Sequence, residues 1–382
     1  GAFKQLKPSS PWKLVGYMNV LTAFFITFFY SSVAGWVYSY IFRIIKGDFL
    51  KLPNLGIEDA TSLVQNNFDK TVSGQLSPII WQGLVLLVVS LILIAGVKNG
   101  IEKITKTLMP LLFSLIIIIC IRGLFLSGAG EGLNFLFKPD FSKITPTVIL
   151  TALGLAFFKL SVGMGTMVVY SSYFTDDNNL INTARSVALS DTLVSLLAGV
   201  AIFPVVFSFG LEADSGPGLL FNTIPLVFSK LPFGNILLLA FFLLTAFAAT
   251  TAMISLIEVP VVFISEELKV KRSLAVIISS LIIFIVGIFT VHPASYLGGV
   301  KLFNKNFFDL FDYMSSNIMM PIGGLSVIIL VGYMVSKNDF KRELSNNGSL
   351  KNEKIINSLI FLMRYITPLL LLIVFLNSIG LI

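Results

Sequence analysis

Thiols, imidazoles and charged groups are all scarce in this 382-residue chain, and each shortage closes off a class of function. Its one cysteine, Cys120, sits inside the apolar run LLFSLIIIIC and has no second cysteine with which to form an intrachain disulfide. Its one histidine, His292, rules out every multi-histidine metal site, the HExxH helix of zinc peptidases included. No Walker A loop, CxxC pair or G-x-S-x-G elbow occurs, so nothing points to an enzyme. Charged residues make up 12% of the chain, against roughly 25% in soluble domains. With 55% hydrophobic residues and a mean hydropathy of +0.90, a water-soluble globule would carry long apolar runs on its surface. That class is excluded. The net charge of +7 does not indicate nucleic acid, because Lys and Arg gather in short connections between apolar runs, where they act as topology signals.

What is present in abundance is membrane-spanning sequence. Apolar runs cover 15–44, 79–97, 108–126, 148–174, 187–209, 236–264, 274–289, 318–335 and 355–381, about nine spans at roughly 20 residues each. Helices are the expected form, since lipid offers unpaired backbone groups no partner and these runs lack the alternation of barrel strands. Lys4, Lys7, Lys13, Lys98, Lys103, Lys106, Arg185, Lys269, Lys271, Arg272, Lys337, Lys341, Arg342, Lys351 and Lys354 fall in one set of alternate connections. They outnumber the basic residues opposite, which predicts a cytoplasmic N-terminus for the sequence and an outward C-terminus. The two longest outer connections, 47–78 and 211–234, are expected to be extracellular loops; LLFNTIPLVF in the second reads as a short helix dipping against the bundle.

Several residues do not belong in lipid. The fourth run, TALGLAFFKLSVGMGTMVVYSSYF, carries Lys159 near its middle, followed by Ser161, Gly163 and Gly165. A central lysine costs about 2.5–3.5 kcal/mol on insertion scales, and each glycine weakens a helix by up to ~1 kcal/mol. Such a segment reads either as an unwound stretch lining a cavity, where freed backbone groups bind ions and substrates, or as a lysine paired with a buried acid beside close-packing glycines. Glu258 in the sixth run and Asp191 in the fifth are both candidate partners for Lys159. Thr250 and Thr251 can offer hydroxyl oxygens to a hard cation, or bond to their own preceding helical turn. Asp309 and Asp312 stand one helical turn apart near the outer boundary.

Six stretches in order, FFYSSVAGW (28–36), FFKLSVGMG (157–165), LAGVAIFPVVFSFG (197–210), GPGLLFNTIP (216–225), ISLIEV (254–259) and MRYITP (363–368), closely resemble the neurotransmitter:sodium symporter family, in particular its bacterial amino-acid transporters. The resemblance runs over essentially the whole of residues 1–382. It implies an all-α polytopic membrane protein with the inverted-repeat, leucine-transporter-type fold, one transporter domain whose substrate and sodium sit where two helices unwind. The first run is similar to the family's third helix and the last to its eleventh. GAFKQLKP, which has neither an initiator methionine nor a signal peptide, resembles the segment after the second helix. The resemblance thus leads to the expectation that the domain is N-terminally incomplete, lacking the first two helices.

By that resemblance Tyr30 meets the substrate carboxylate and Ile26 lines the side-chain pocket. Phe158 is the aromatic lid, Ser161 belongs to the unwound segment, and Met164 and Leu256 fill bulky apolar positions, which favours an apolar amino acid. Asp312 matches the outer-gate acid; Tyr173 and Glu266 match the inner gate. One sodium site maps to the Ala248 carbonyl and the Thr251 hydroxyl, with Ala252 where a further ligand is usual. The other has Lys159 in place of a hydroxyl residue and Ser190 in place of an amide. An ammonium cannot coordinate sodium, so Lys159 is expected to substitute for that ion as a fixed charge. The sequence reads as a sodium-coupled amino-acid symporter in the cell membrane with altered ion sites. A non-transporting sensor, scaffold or inactive relic, and a proton-coupled transporter, are the competing readings. The expected partners are the lipid bilayer, an amino acid and sodium, with no other cofactor or metal and no nucleic acid.

Overall fold

The structure, a computed structural model, describes residues 12–96, 102–175, 178–208, 210, 218–229, 231–292 and 295–381. Lys4, Lys7, Lys98, the GAFKQLKP segment and most of DSGPG lie outside these residues. Helix α1 (Lys13–Lys46) is the most enclosed of the long helices, with 67% of its most apolar stretch buried. It ends where Gly47 turns left-handed (φ 92°) and its N–H closes on the carbonyls of Arg43 and Ile44. Arg43 and Lys46 set positive charge against the C-terminal end of the helix dipole.

Helices α2 (Ile57–Val72), α3 (Ser77–Ile94), α4 (Lys103–Leu124), α5 (Ala129–Phe137), α6 (Pro146–Lys159), α7 (Thr166–Ser171) and α8 (Leu180–Ser208) follow. Then come α9 (Ile224–Ser229), α10 (Gly234–Glu267) and α11 (Arg272–Gly287), and a two-strand hairpin, β1 (Lys301–Leu302) with β2 (Lys305–Asn306). Helix α12 (Phe307–Asp312) runs through a π-helical turn into α13 (Met320–Ile329), and α14 (Lys337–Leu344) is a short connection. Helices α15 (Glu353–Phe361) and α16 (Thr367–Ser378) are joined by a π-helical turn into one span.

Seven of these units are long and apolar enough to cross a membrane: α1, α3, α8, α10, Arg272–Thr290, Phe307–Met334 and Glu353–Ser378. An eighth is counted if Met109–Leu124 and α5, bent by 118°, form one span. The bend lays α5 hard against α8: a Cβ on Gly128 or Gly132 would stand 2.3 or 2.4 Å from the backbone nitrogens of Ser208 and Pro204. The remaining run of the nine expected from the sequence is not continuous. It is α6 and α7, separated by a non-helical stretch.

Polar bonds across the buried faces fix how the long helices pack. Tyr38 and Thr250 join α1 to α10 through their hydroxyls at 2.7 Å, and the Tyr40 hydroxyl donates to the Phe221 carbonyl at 3.1 Å. Gly35 lets α3 approach so closely that a Cβ there would lie 2.9 Å from the Gln82 nitrogen, while the Gln82 amide donates to Ser31 at 2.8 Å. Residues 47–78 contain α2, whose Ala60, Val64, Asn67 and Thr71 are buried at helical spacing, so its apolar stripe faces the bundle. In 211–234, LLFNT forms a π-helical turn, and every residue of α9 is buried.

Candidate functional site

The interruption between α6 and α7 is built by four residues. Lys159 ends α6; Ser161 (φ 55°), Gly163 (φ 85°) and Gly165 (φ 80°) are all left-handed; Gly165 then serves as the N-cap of α7. Glycine adopts that conformation without steric cost, whereas serine does so against its preference. Position 163 also demands glycine for space, since a Cβ would meet the Met320 carbonyl at 2.3 Å. Gly165 packs against Asn19 and Val259. Beside the break, Asn19 Oδ1 and Thr166 Oγ1 are buried without a hydrogen-bond partner among the described residues, so polar groups are gathered here that the protein itself does not satisfy.

Tyr30, on α1, is half-buried, and its hydroxyl has no partner among the described residues. Ile26, one turn earlier, is 2% exposed; Met164 and Leu256 are likewise buried, all three in one hydrophobic cluster with Tyr30 packed against it. Phe158 stands at 37% exposure near the end of α6.

Lys159 has its acid. The ammonium lies 3.0 Å from Asp191 on α8 and donates to Ser195 one turn further along. Of the two candidates open from sequence, Asp191 is therefore the partner and Glu258 is not. Ser190, the neighbouring residue, is exposed and turns no side-chain bond toward Lys159. On α10, Thr251 donates to the carbonyl of Phe247 at 2.9 Å, within its own helix; Ala248 and Ala252 are half-buried beside it.

An ion pair shared with a tyrosine joins the segment after α7 to α10 and α11. Glu258 is fully buried and receives the two terminal nitrogens of Arg272 at 2.8 and 2.7 Å and the Tyr173 hydroxyl at 2.6 Å. The Arg272 Nε–H continues to the Leu93 carbonyl at 3.2 Å. Tyr173 and Glu266, expected as a pair, do not meet. Glu266 is exposed about two turns beyond Glu258, and the hydroxyl goes instead to the fully buried Glu258 carboxylate. Arg272 is the residue sequence reasoning missed here. Its signal was available: a glutamate inside an apolar run needs a cation, and an arginine opens the next helix. Asp312 is exposed and accepts from Ser316 at 2.9 Å, while Asp309 accepts from the side-chain amide of Asn306, whose own oxygen caps α12.

A multi-pass helical bundle with one helix broken at left-handed residues, and with side chains of several helices converging on the break, defines a class: membrane proteins of the broken-helix transporter fold. The chain belongs to the sodium:neurotransmitter symporter family, whose model matches residues 63–381. It is similar to an uncharacterized sodium-dependent transporter, YhdH, of Bacillus subtilis, with 39% identity over 379 residues covering 99% of this chain and 82% of the relative. A second uncharacterized sodium-dependent transporter, from Haemophilus influenzae, is 37% identical over 97% of this chain and 80% of its own length. Among solved structures, MhsT in complex with L-phenylalanine superposes with a TM-score of 0.88 at 37% identity, over 99% of this chain and 84% of that one.

Proposed function

We propose that this protein carries an apolar amino acid across the cell membrane in symport with sodium, by alternating access around Tyr30, Phe158 and Ser161. The observation that carries the reading is the α6–α7 break, where left-handed residues and unpartnered polar oxygens meet an apolar wall of Ile26, Met164 and Leu256. An amino acid needs those two chemistries together, polar groups for its zwitterionic end and apolar surface for its side chain. The L-phenylalanine in MhsT supports an apolar substrate. Asp312 would close the outer side; on the inner side, Tyr173 with Glu258 and Arg272 forms the contact that Glu266 does not.

The ion sites depart from a plain two-sodium arrangement. Lys159, held by Asp191 and Ser195, supplies a positive charge in place of one sodium, leaving the Ala248 carbonyl and the Thr251 hydroxyl as the remaining sodium site. The same ion pair favours a second reading, coupling to protons through Lys159. The proposal also holds that the N-terminal side of α1 faces the cytoplasm.

The test is uptake of labelled amino acids into proteoliposomes with and without a sodium gradient. Sodium-dependent uptake that Tyr30→Phe lowers at least tenfold is expected. Binding of the amino acid unaltered by that substitution would remove Tyr30 from the site, and pH-driven uptake indifferent to sodium would favour the proton reading.

A further inference from the structure

Four large apolar side chains are far more exposed than the rest: Phe125, Phe141, Phe233 and Phe303, at 80%, 76%, 79% and 83%. Among the described residues no other passes 69%. All four are phenylalanines, and each stands in a connection or at the end of a helix. Phe125 is the C-cap of α4 and Phe233 the N-cap of α10; Phe141 opens a short turn between α5 and α6; Phe303 lies between β1 and β2. Hydrogen bonds place these segments on one side of the bundle. The Gly128 N–H, just before α5, donates to Ser208 at the end of α8 at 2.8 Å. Tyr40, toward the end of α1, reaches Phe221 in the turn before α9, and the Tyr296 N–H, before the hairpin, donates to the Gln75 carbonyl just before α3 at 3.2 Å.

Two of the four are held against their preference. Phe233 (φ 59°) and Phe303 (φ 51°) are left-handed, a conformation that bulky residues avoid. Phe303 and Asn304 (φ 59°) make the two-residue turn of the hairpin, where left-handed residues at both positions favour Asn-Gly. The protein does not repay this strain by packing, since both rings are uncovered. In the connections of the opposite side, the left-handed residues other than glycine are Lys269, Asn346 and Asn347, all polar.

The neighbouring spans indicate what covers the rings. Ile118 and Ile121 follow the exposed face of α4 at helical spacing and lead to Phe125, and on α10 Leu243 and Ile236 lead in the same way to Phe233. Those exposed faces belong to helices apolar enough to cross a membrane, so lipid is what they meet, and the phenylalanines carry the same faces past the helix ends. Cations stand close by in sequence: Arg122 before Phe125, Lys143 after Phe141, and Lys301 and Lys305 on either side of Phe303. An apolar ring beside a long cationic side chain suits the boundary between acyl chains and headgroups.

We propose that Phe125, Phe141, Phe233 and Phe303 insert into the membrane leaflet on this side, so that the connections carrying them lie in the lipid interface. The rings take the acyl boundary and the flanking cations take the lipid phosphates. Anchoring is one-sided, and it sets the depth of the bundle from that face.

The experiment uses the full chain in vesicles of phosphatidylcholine and phosphatidylglycerol at a low protein-to-lipid ratio. A nitroxide label is attached in turn to Phe125→Cys, Phe141→Cys, Phe233→Cys, Phe303→Cys and, as a control, Glu58→Cys on the exposed face of α2. Cys120 is buried, which confines labelling to the introduced thiol. Relaxation by oxygen, which concentrates in lipid, is compared with relaxation by a water-soluble nickel chelate. The oxygen-to-nickel ratio is expected to be severalfold higher at the four phenylalanine positions than at Glu58→Cys. Phe303→Asn suits the left-handed turn and so preserves the hairpin; it is expected to lower the ratio severalfold for a label at Leu302→Cys. Ratios at the four positions equal to that of Glu58→Cys, or no change at Leu302→Cys, would overturn the proposal. So would dipolar broadening between labels, which would identify a second copy of the chain as the cover.

Discussion

Replacing Arg272 by Met strands the fully buried carboxylate of Glu258 without its cation. In the native protein that carboxylate has three donors, two from Arg272 and one from Tyr173; the substitution leaves one. Removing one partner of a buried pair costs about 3–5 kcal/mol. The Arg272 side chain is 31% exposed, so water reaches part of the pair and the lower end, ~3 kcal/mol, is the better expectation. That is more than a hundredfold in the unfolding equilibrium. The loss is specific to the stranded charge, which makes the second substitution decisive. Adding Glu258→Gln to Arg272→Met removes the charge and should recover about 1–3 kcal/mol of the deficit. Both variants are followed by thermal and denaturant unfolding of the purified protein, using its three tryptophans as the reporter. If the single and double variants unfold together, Glu258 is not held as a carboxylate by Arg272 and the reasoning about the ion pair fails.

Gly163→Ala combines left-handed strain with a Cβ 2.3 Å from the Met320 carbonyl, and should destabilise by about 2–4 kcal/mol. Gly348→Ala has the same φ of 85° with nothing within 4 Å, so it should cost only about 1 kcal/mol; equal melting points for the two would mean that the close approach to α13 is not real. Lys159→Thr returns a hydroxyl beside Asp191 and Ser190, and uptake should then depend more steeply on sodium concentration. An unchanged sodium response with intact uptake would show that Lys159 occupies no ion position.

Much of the site was legible because its chemistry clashes with lipid. A lysine followed by serine and two glycines inside an apolar run cannot make a comfortable membrane helix, and the break falls where those residues stand. What the linear pattern could not supply was pairing. Asp191 and Glu258 are both acids in apolar runs, and only the folded placement of α8 within reach of Lys159 and of α11 beside α10 assigns one to Lys159 and the other to Arg272. Motif matching aligned Tyr173 with Glu266, yet the tyrosine follows burial and bonds to Glu258. The bend between α4 and α5 was missed for a similar reason: Gly128 and Gly132 look like ordinary turn glycines until α8 is laid against them. The unpartnered oxygens of Asn19 and Thr166 leave no trace in sequence at all.

The left-handed residues before α7 are usually thought of as slack in the chain, but here they are wedged. Gly163 is seated on the Met320 carbonyl of α13, Gly165 on α1 and α10, and Tyr170 and Tyr173 bond from α7 and its C-terminal end to Ser255 and Glu258 on α10. Helix α7 therefore behaves as part of the frame, and turning it would shear its contacts with α1, α10 and α13 together. On the other side of Gly163, at Lys159–Ser161, the chain leaves α6 and is tied to Asp191 and Ser195 on α8 through the Lys159 ammonium. The break is thus asymmetric: close backbone packing holds its α7 side, and side-chain charge holds its α6 side.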